Sequence, residues 1–255
     1  MATRRRPARA LALLAAACGL VPAGVAAGAA STTVAAAGQE SVPLIPRSVL
    51  FGNPERASVQ VSPDGSMISY LAPLDGVLNV WIRPVGGGEA APITRSERRP
   101  IRRYAWSWNG EQVLYLQDEG GDENTSIFAV DVITGEETNL TPQEGVRASI
   151  LAAHRDRPDE LLVLMNDRDP RMQDVLRLNT RTGETERIVE NAEGWIGYVP
   201  DDEWHVRGRA RMTGDGGMEV QMRESDHAEW VSFLRVPMED TGNFGLLGLS
   251  ADGAD

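Results

Sequence analysis

The sequence predicts an all-β fold, a partial β-propeller of four-stranded blades, and three observations carry that prediction. Turn signals recur from residue 50 onward with a spacing of roughly 40–50 residues. Short strand-like runs fill the intervals, and no segment shows sustained helical periodicity with caps. The order turn, strand, strand, turn, strand returns in each unit. A period of this length with four short strands per unit is the mark of a propeller. A β-sandwich with irregular strand spacing is the competing architecture, and it would not keep one order through four units.

The first unit opens at Ser62-Pro63-Asp64-Gly65. Proline presets one backbone angle there and glycine accepts a positive φ. Met67, Ile68 and Tyr70 to Leu71 read as a strand, and Val77 to Ile82 as the next, with Trp81 inside it. Gly86-Gly87-Gly88 turns the chain, and Pro92-Ile93-Thr94 closes the unit. In the second unit Trp106-Ser107-Trp108-Asn109-Gly110 reads as a turn, followed by the strands Gln112 to Leu116 and Ser126 to Val132. Thr134-Gly135 turns into a short strand, Glu137 to Leu140. The third unit has Pro158-Asp159-Glu160, the strands Leu161 to Met165 and Asp174 to Leu178, the turn Thr182-Gly183, and the strand Thr185 to Val189. The fourth has Asp201-Asp202, the strand Trp204 to Arg211, the turn Asp215-Gly216-Gly217, and the strands Met218 to Arg223 and Trp230 to Arg235. A fifth begins with Leu247 to Leu249 and Ser250-Ala251-Asp252-Gly253. The turn markers are 45 residues apart between Gly65 and Gly110, then about 50, 42 and 51 apart.

These spacings give about four blades plus the start of a fifth, an incomplete β-propeller domain over 44–255. Closed propellers need whole blades. The expectation is therefore a piece of a longer protein, whose end blades expose apolar faces and invite self-association.

The N-terminus reads as an export signal. Arg4, Arg5, Arg6 and Arg9 precede an apolar run over 10–18, and small residues follow, with Ala27-Gly28-Ala29 as an Ala-x-Ala cleavage site. Basic, apolar, then small is the order of a signal peptide. The apolar run is about half of the ~20 residues a membrane-spanning helix needs. Residues 1–29 are thus expected to be removed, residues 30–43 to form a flexible linker, and the product to be periplasmic or secreted. A lipidated Cys18 is the alternative, although Ala15 stands where leucine is usual. A buried N-terminal helix is a third reading.

Charge narrows the function. Every basic residue is arginine, 25 in all, against 37 acids. Setting the four leader arginines aside leaves 21 against 37. An acidic surface disfavours nucleic acid, which needs a basic one. The lone Cys18 excludes disulfides within the chain and cysteine-based zinc sites, and His154, His205 and His227 are scattered. No cofactor, metal or catalytic residue is expected.

Several clusters have two readings each. Asp118, Glu119, Asp122 and Glu123 crowd one loop; hard cations take such oxygens, but the spacing is not that of a calcium loop, and a solvated hairpin tip is favoured. Arg95, Arg98, Arg99, Arg102 and Arg103 form a basic run that either steers acidic ligands or is a solvated inter-blade loop partly paired with nearby carboxylates, the latter favoured. Trp106 and Trp108 alternate beside Tyr104, either to stack on a ligand or, as favoured, to pack between blades. Glu184 and Glu186 have the spacing of an acid–base pair but lack an enclosed cleft, and read as solvent-facing.

One ordered set of motifs goes further. It consists of Leu44-Ile45-Pro46-Arg47, Leu50-Phe51-Gly52-Asn53-Pro54-Glu55-Arg56 and Ser62-Pro63-Asp64-Gly65, then Gln117-Asp118-Glu119-Gly120-Gly121-Asp122-Glu123-Asn124 running into Phe128-Ala129-Val130-Asp131. Asn166-Asp167-Arg168-Asp169-Pro170 before Asp174-Val175, and Asp240-Thr241-Gly242, complete it. Together they resemble the propeller of prolyl oligopeptidase-family serine peptidases, the acylaminoacyl-peptidase and dipeptidyl-aminopeptidase branch being closest. Val59 stands where the family pattern has proline, and Asn109 replaces aspartate in the second turn. The resemblance implies an α/β-hydrolase domain with its nucleophile in Gly-x-Ser-x-Gly. That motif does not occur in these 255 residues. The expected role is a substrate-gating propeller of an exported serine peptidase acting on short peptides, inactive by itself, with peptide substrates met through the catalytic domain. A stand-alone periplasmic TolB-like propeller serving as a protein-interaction scaffold is the alternative.

Overall fold

The computed structural model describes residues 44–246, 248 and 249. The expected signal peptide (1–29) and linker (30–43), and most of the expected fifth-unit start, lie outside the described residues. From Pro46 on the chain forms one compact unit. A single-turn helix over Arg47–Phe51 precedes sixteen strands. These form four four-stranded antiparallel meanders, the blades of a propeller. The first holds β1 (Ala57–Val61), β2 (Met67–Leu74), β3 (Val77–Pro84) and β4 (Ala91–Pro92). The second holds β5 (Tyr104–Trp106), β6 (Gln112–Asp118), β7 (Thr125–Asp131) and β8 (Glu137–Asn139). The third holds β9 (Ala148–Ala153), β10 (Glu160–Asp169), β11 (Met172–Asn179) and β12 (Thr185–Val189). The fourth holds β13 (Gly197–Pro200), β14 (Val206–Met212), β15 (Met218–Met222) and β16 (Val231–Val236). Asp240-Thr241-Gly242 falls in a 3-10 helix over Met238–Asn243.

Three sequence expectations need correction. Trp106 is not in a turn but ends β5, where it pairs with Val113. The fourth-blade strand begins at Val206 rather than Trp204, because Trp204 sits in the left-handed region at φ 74°. The third-blade hairpin is longer than its apolar core, since polar residues continue the pairing to Asp169 opposite Met172. The turn glycines behave as read: Gly65, Gly110, Gly135, Gly183 and Gly216 all take φ between 71° and 84°.

The core lies in the layers between successive blades. Leu71, Val80 and Ile101 meet Trp106, Val113 and Val130 between the first and second blades. Leu114, Ile127 and Ala129 meet Leu161, Val163 and Leu176 between the second and third. Alternate residues of each middle strand thus serve opposite layers, as the two-residue strand period requires. Full burial of each such side chain contributes about 1.5–3 kcal/mol.

The layer between the third and fourth blades is built differently. Leu162, Val175, Tyr198 and Val206 form its apolar part, with Trp195 buried and Trp230 half-buried beside them. Arg209 then lies between two indoles, its guanidinium 3.9 Å from the Trp195 ring and 4.3 Å from Trp230. Arg211 covers the outer face of Trp195 at 4.5 Å, and Arg223 covers Trp230 at 4.6 Å. Residues two apart on a strand are separated by about 6.8 Å, so a flat ring fits between successive guanidinium planes. Each cation also has an in-plane partner: Arg209 donates to Gln221 at 2.7 and 3.0 Å, Arg211 to Glu219 at 2.8 and 3.0 Å, and Arg223 to the Val206 carbonyl at 2.7 Å.

Candidate functional site

Antiparallel meanders give the blades two distinct ends. One carries the turns between first and second and between third and fourth strands. The other carries the β2–β3, β6–β7, β10–β11 and β14–β15 hairpins and the crossings from each blade to the next.

At the turn-bearing end, side chains hold the turns and join the blades. The Ser62 and Ser66 hydroxyls donate to Asp64 at 2.6 and 2.7 Å, and the Ser66 N–H donates at 3.0 Å. These bonds lower the Asp64 carboxyl to about 2. In the second blade Asn109 keeps the turn by accepting from the Glu111 N–H at 2.8 Å. Its amide donates to Asp159 of the third blade at 2.8 Å, a bond that the family's aspartate could not make. Arg181 completes the clasp, donating to Asp159 and to Glu111, each at 2.7 Å. The Asn109 bond, aided by Arg181, holds the Asp159 carboxyl below its ordinary value.

At the hairpin-bearing end, the acidic hairpin and the basic run meet. Arg99 pairs with Asp118 at 2.8 Å, and the Gln117 amide donates to the Arg99 carbonyl at 2.8 Å. Asp122 accepts from the Asn124 backbone and amide, each at 3.0 Å, which ties the tip together. Glu119 and Glu123 are exposed at that tip. Among the described residues no three His, Cys, Asp or Glu side chains converge as metal ligands would.

The third hairpin is organised around Asp174, which is fully buried. Arg168 grips it with bonds of 2.9 and 3.0 Å, Arg187 reaches the same carboxylate, and the Asn191 N–H donates at 2.8 Å. Burial pushes the carboxyl up, but the Arg168 and Asn191 bonds and the two positive charges outweigh it and leave it lowered. Arg187 also pairs with Asp167 at 3.0 Å. Asn191 in turn fixes Trp195, donating to its carbonyl at 2.7 Å and accepting its N–H at 3.0 Å. Arg168 is thus joined through Asp174 and Asn191 to Trp195 of the arginine–tryptophan stack.

The remaining sequence candidates separate. Tyr104 and Trp106 are buried; the Tyr104 hydroxyl donates to the Ser58 carbonyl at 2.6 Å and accepts from the fully buried Ser69 hydroxyl at 3.0 Å, whose oxygen accepts the Trp106 indole N–H at 2.8 Å. Trp108 is 45% exposed and joins no core layer. Glu184 and Glu186 are both exposed, Glu186 paired with Arg177. His154 lies 3.6 Å from Asp202, and His205 lies 3.3 Å from Asp201. Arg147, which sequence reasoning passed over, converges on the basic run from the crossing before the third blade.

No family model matches the chain. It is 39% identical over 211 residues to dipeptidyl aminopeptidase BIII of Pseudoxanthomonas mexicana, a match taking in 82% of this chain and 30% of that protein. It is 28% identical over 215 residues to dipeptidyl peptidase family member 6 of Caenorhabditis elegans, covering 78% of this chain and 29% of that protein. Among solved structures, the β-propeller domain of the trilobed protease of Pyrococcus furiosus aligns with a TM-score of 0.46 at 15% identity, over 71% of this chain and 57% of that one. The chain thus spans about 30% of the length of the curated relatives it matches. The homologues of this β-propeller portion are thus a dipeptidyl aminopeptidase and a dipeptidyl peptidase family member, in keeping with the prolyl oligopeptidase-family motif set it carries.

Proposed function

We propose that this propeller is the substrate-gating part of an exported serine peptidase that acts on short peptides. The observation that carries the reading is the 39% identity to a dipeptidyl aminopeptidase over a propeller amounting to 30% of that protein. The chemistry of the whole enzyme is assigned to the remainder, in a hydrolase domain with Ser, Asp and His. Rigid blades joined by clasps such as Asn109–Asp159 suit a gate, since they present hairpins to a substrate without yielding to it. The kinship with dipeptidyl peptidases favours this over a TolB-like scaffold.

Export is part of the proposal, supported by the order of Arg4–Arg9, the apolar run and Ala27-Gly28-Ala29. N-terminal sequencing of the exported product is expected to begin at residue 30. A lipid-bearing Cys18 would establish the anchored alternative, and an intact Met1 would refute both. For the peptidase reading, the purified 255-residue chain is treated with a fluorophosphonate probe. No serine of this chain is expected to be labelled; a specifically labelled serine here overturns the division of labour.

A further inference from the structure

A groove of about 400 Å³ opens at the hairpin-bearing end between the second and third blades. Arg98, Arg99, Arg102 and Arg103 line it from the crossing that leads into β5, and Arg147 lines it from the crossing that leads into β9. One carboxylate reaches it, that of Asp118, and Arg99 engages it at 2.8 Å. Among the described residues no carboxylate lies within 4.0 Å of Arg98, Arg102, Arg103 or Arg147. Arg47, Arg56, Arg83 and Arg95 of the first unit likewise have no such partner among the described residues, but the later blades behave otherwise. In the third and fourth blades nearly every arginine, Arg155 and Arg235 aside, has a carboxylate partner within that distance. In a protein with 37 acids to 25 arginines, a cluster of arginines left without acids is a local reversal of sign.

The cluster is also held in place. Ile101, fully buried in the core, sits between the two arginine pairs, and its N–H donates to the Leu78 carbonyl at 3.0 Å. The Ser96 hydroxyl and the Gln117 amide both donate to the Arg99 carbonyl. On the other wall the Arg147 N–H donates to Asn166 at 2.6 Å, and Thr125 ties the next residue by donating to the Ala148 carbonyl at 2.7 Å. The backbones that carry the cations are thus fixed, and only the arginine side chains remain to be ordered when a ligand arrives.

We propose that this groove is a carboxylate site that takes acidic peptides, the inference resting on the peptidase reading for the source of its ligand. Arginine forks match carboxylates bidentately. A long polyanion would meet the acidic remainder of the molecule, whereas a short peptide is screened from it beyond about 8–10 Å and senses the groove. The carboxylate is either an aspartate or glutamate side chain or the peptide's own C-terminus.

The test uses the 255-residue chain and three rhodamine-labelled octapeptides read by fluorescence anisotropy. One carries two glutamates and a free C-terminus, one has both glutamates replaced by glutamine, and one keeps the glutamates with an amidated C-terminus. The acidic peptide is expected to bind, and R102Q/R103Q/R147Q to weaken it at least tenfold. The control R155Q/R235Q, with two arginines removed elsewhere, is expected to leave it within twofold. Which of the other two peptides loses affinity identifies the carboxylate. Equal loss in both arginine variants, equal binding of all three peptides, or tighter binding of polyphosphate than of the acidic peptide overturns the site. These arginines are exposed, and matching thermal melts of the variants confirm that they fold. Binding is read without catalysis, so a failed peptidase reading leaves this result standing, and a failed carboxylate site leaves the peptidase reading untouched.

Discussion

Replacing Arg209 by methionine removes the central cation of the Arg211–Trp195–Arg209–Trp230–Arg223 stack while keeping most of its apolar stem. The Arg209 side chain is only 17% exposed, and burial pushes its pKa down, so its two stacking contacts are made in a largely dry layer. Each such contact contributes about 0.5–1 kcal/mol at exposed sites and about 2 when desolvated. The bonds to Gln221 add about 1 kcal/mol net, and relief of the buried charge returns part of the loss. The expected destabilisation of R209M is about 2–3 kcal/mol, or a fall in Tm of roughly 4–10 °C for a chain of this size. R209K keeps the charge but not the plane, and is expected to lose about half as much. Urea unfolding followed by far-UV circular dichroism measures the loss, and the difference in tryptophan emission between variant and parent, six tryptophans contributing to each, reports on the change around Trp195 and Trp230. A change below about 0.5 kcal/mol in R209M with unaltered emission would show that the stack is a surface ornament and that the layer rests on Leu162 and Val175 alone.

Three further outcomes follow from the same geometry. N109D sets two carboxylates where an amide now donates to Asp159 at 2.8 Å, so about 1–3 kcal/mol should be lost at pH 7 and much of it regained near pH 4; equal loss at both pH values would refute the like-charge account. Asp64 and Asp169 at about 2, with Asp174 also lowered, are each held ionised by native bonds; their folded pKa values lie below the unfolded ~3.9, so their stabilisation is whole above pH 4 and is lost as pH falls toward 2, and D174N should flatten that acid limb in denaturation measured from pH 5 to pH 2. Val231, Phe233 and Met238, 64–66% exposed, are proposed to drive self-association of the chain; light scattering should show concentration-dependent species that shrink in V231T/F233S, and a monodisperse monomer would contradict it.

What the sequence disclosed was punctuation. Gly65, Gly110, Gly135 and Gly183 mark positive-φ turns because little else is tolerated there, and the hairpins between them follow from strand-like runs. The first strand of each blade was harder to see. Tyr104–Trp106 is three residues long and abuts an arginine run, and Gly197–Pro200 has glycine and proline at its ends. Trp204 was unreadable as a turn residue, since only its surroundings hold it at positive φ. The site was less legible than the fold. Arg207, Arg209 and Arg211 alternate as a solvated strand face would, and only register and packing insert Trp195 between Arg209 and Arg211 and Trp230 between Arg209 and Arg223. Arg147 joins the Arg98–Arg103 cluster across a whole blade, a distance that no local pattern encodes. Asn109 was visible as a departure from the family turn, but its partner Asp159 lies 50 residues on.

The central proposal is that these blades admit substrate to chemistry performed by a catalytic portion of a longer protein. The direct measurement compares cleavage, by the protein in which this propeller accompanies its catalytic portion, of one peptide in two forms: free and unstructured, or displayed on the surface of a stably folded domain with its N-terminus accessible. The account predicts rapid cleavage of the free form and at least a hundredfold slower cleavage of the displayed form. Equal rates on both would contradict it.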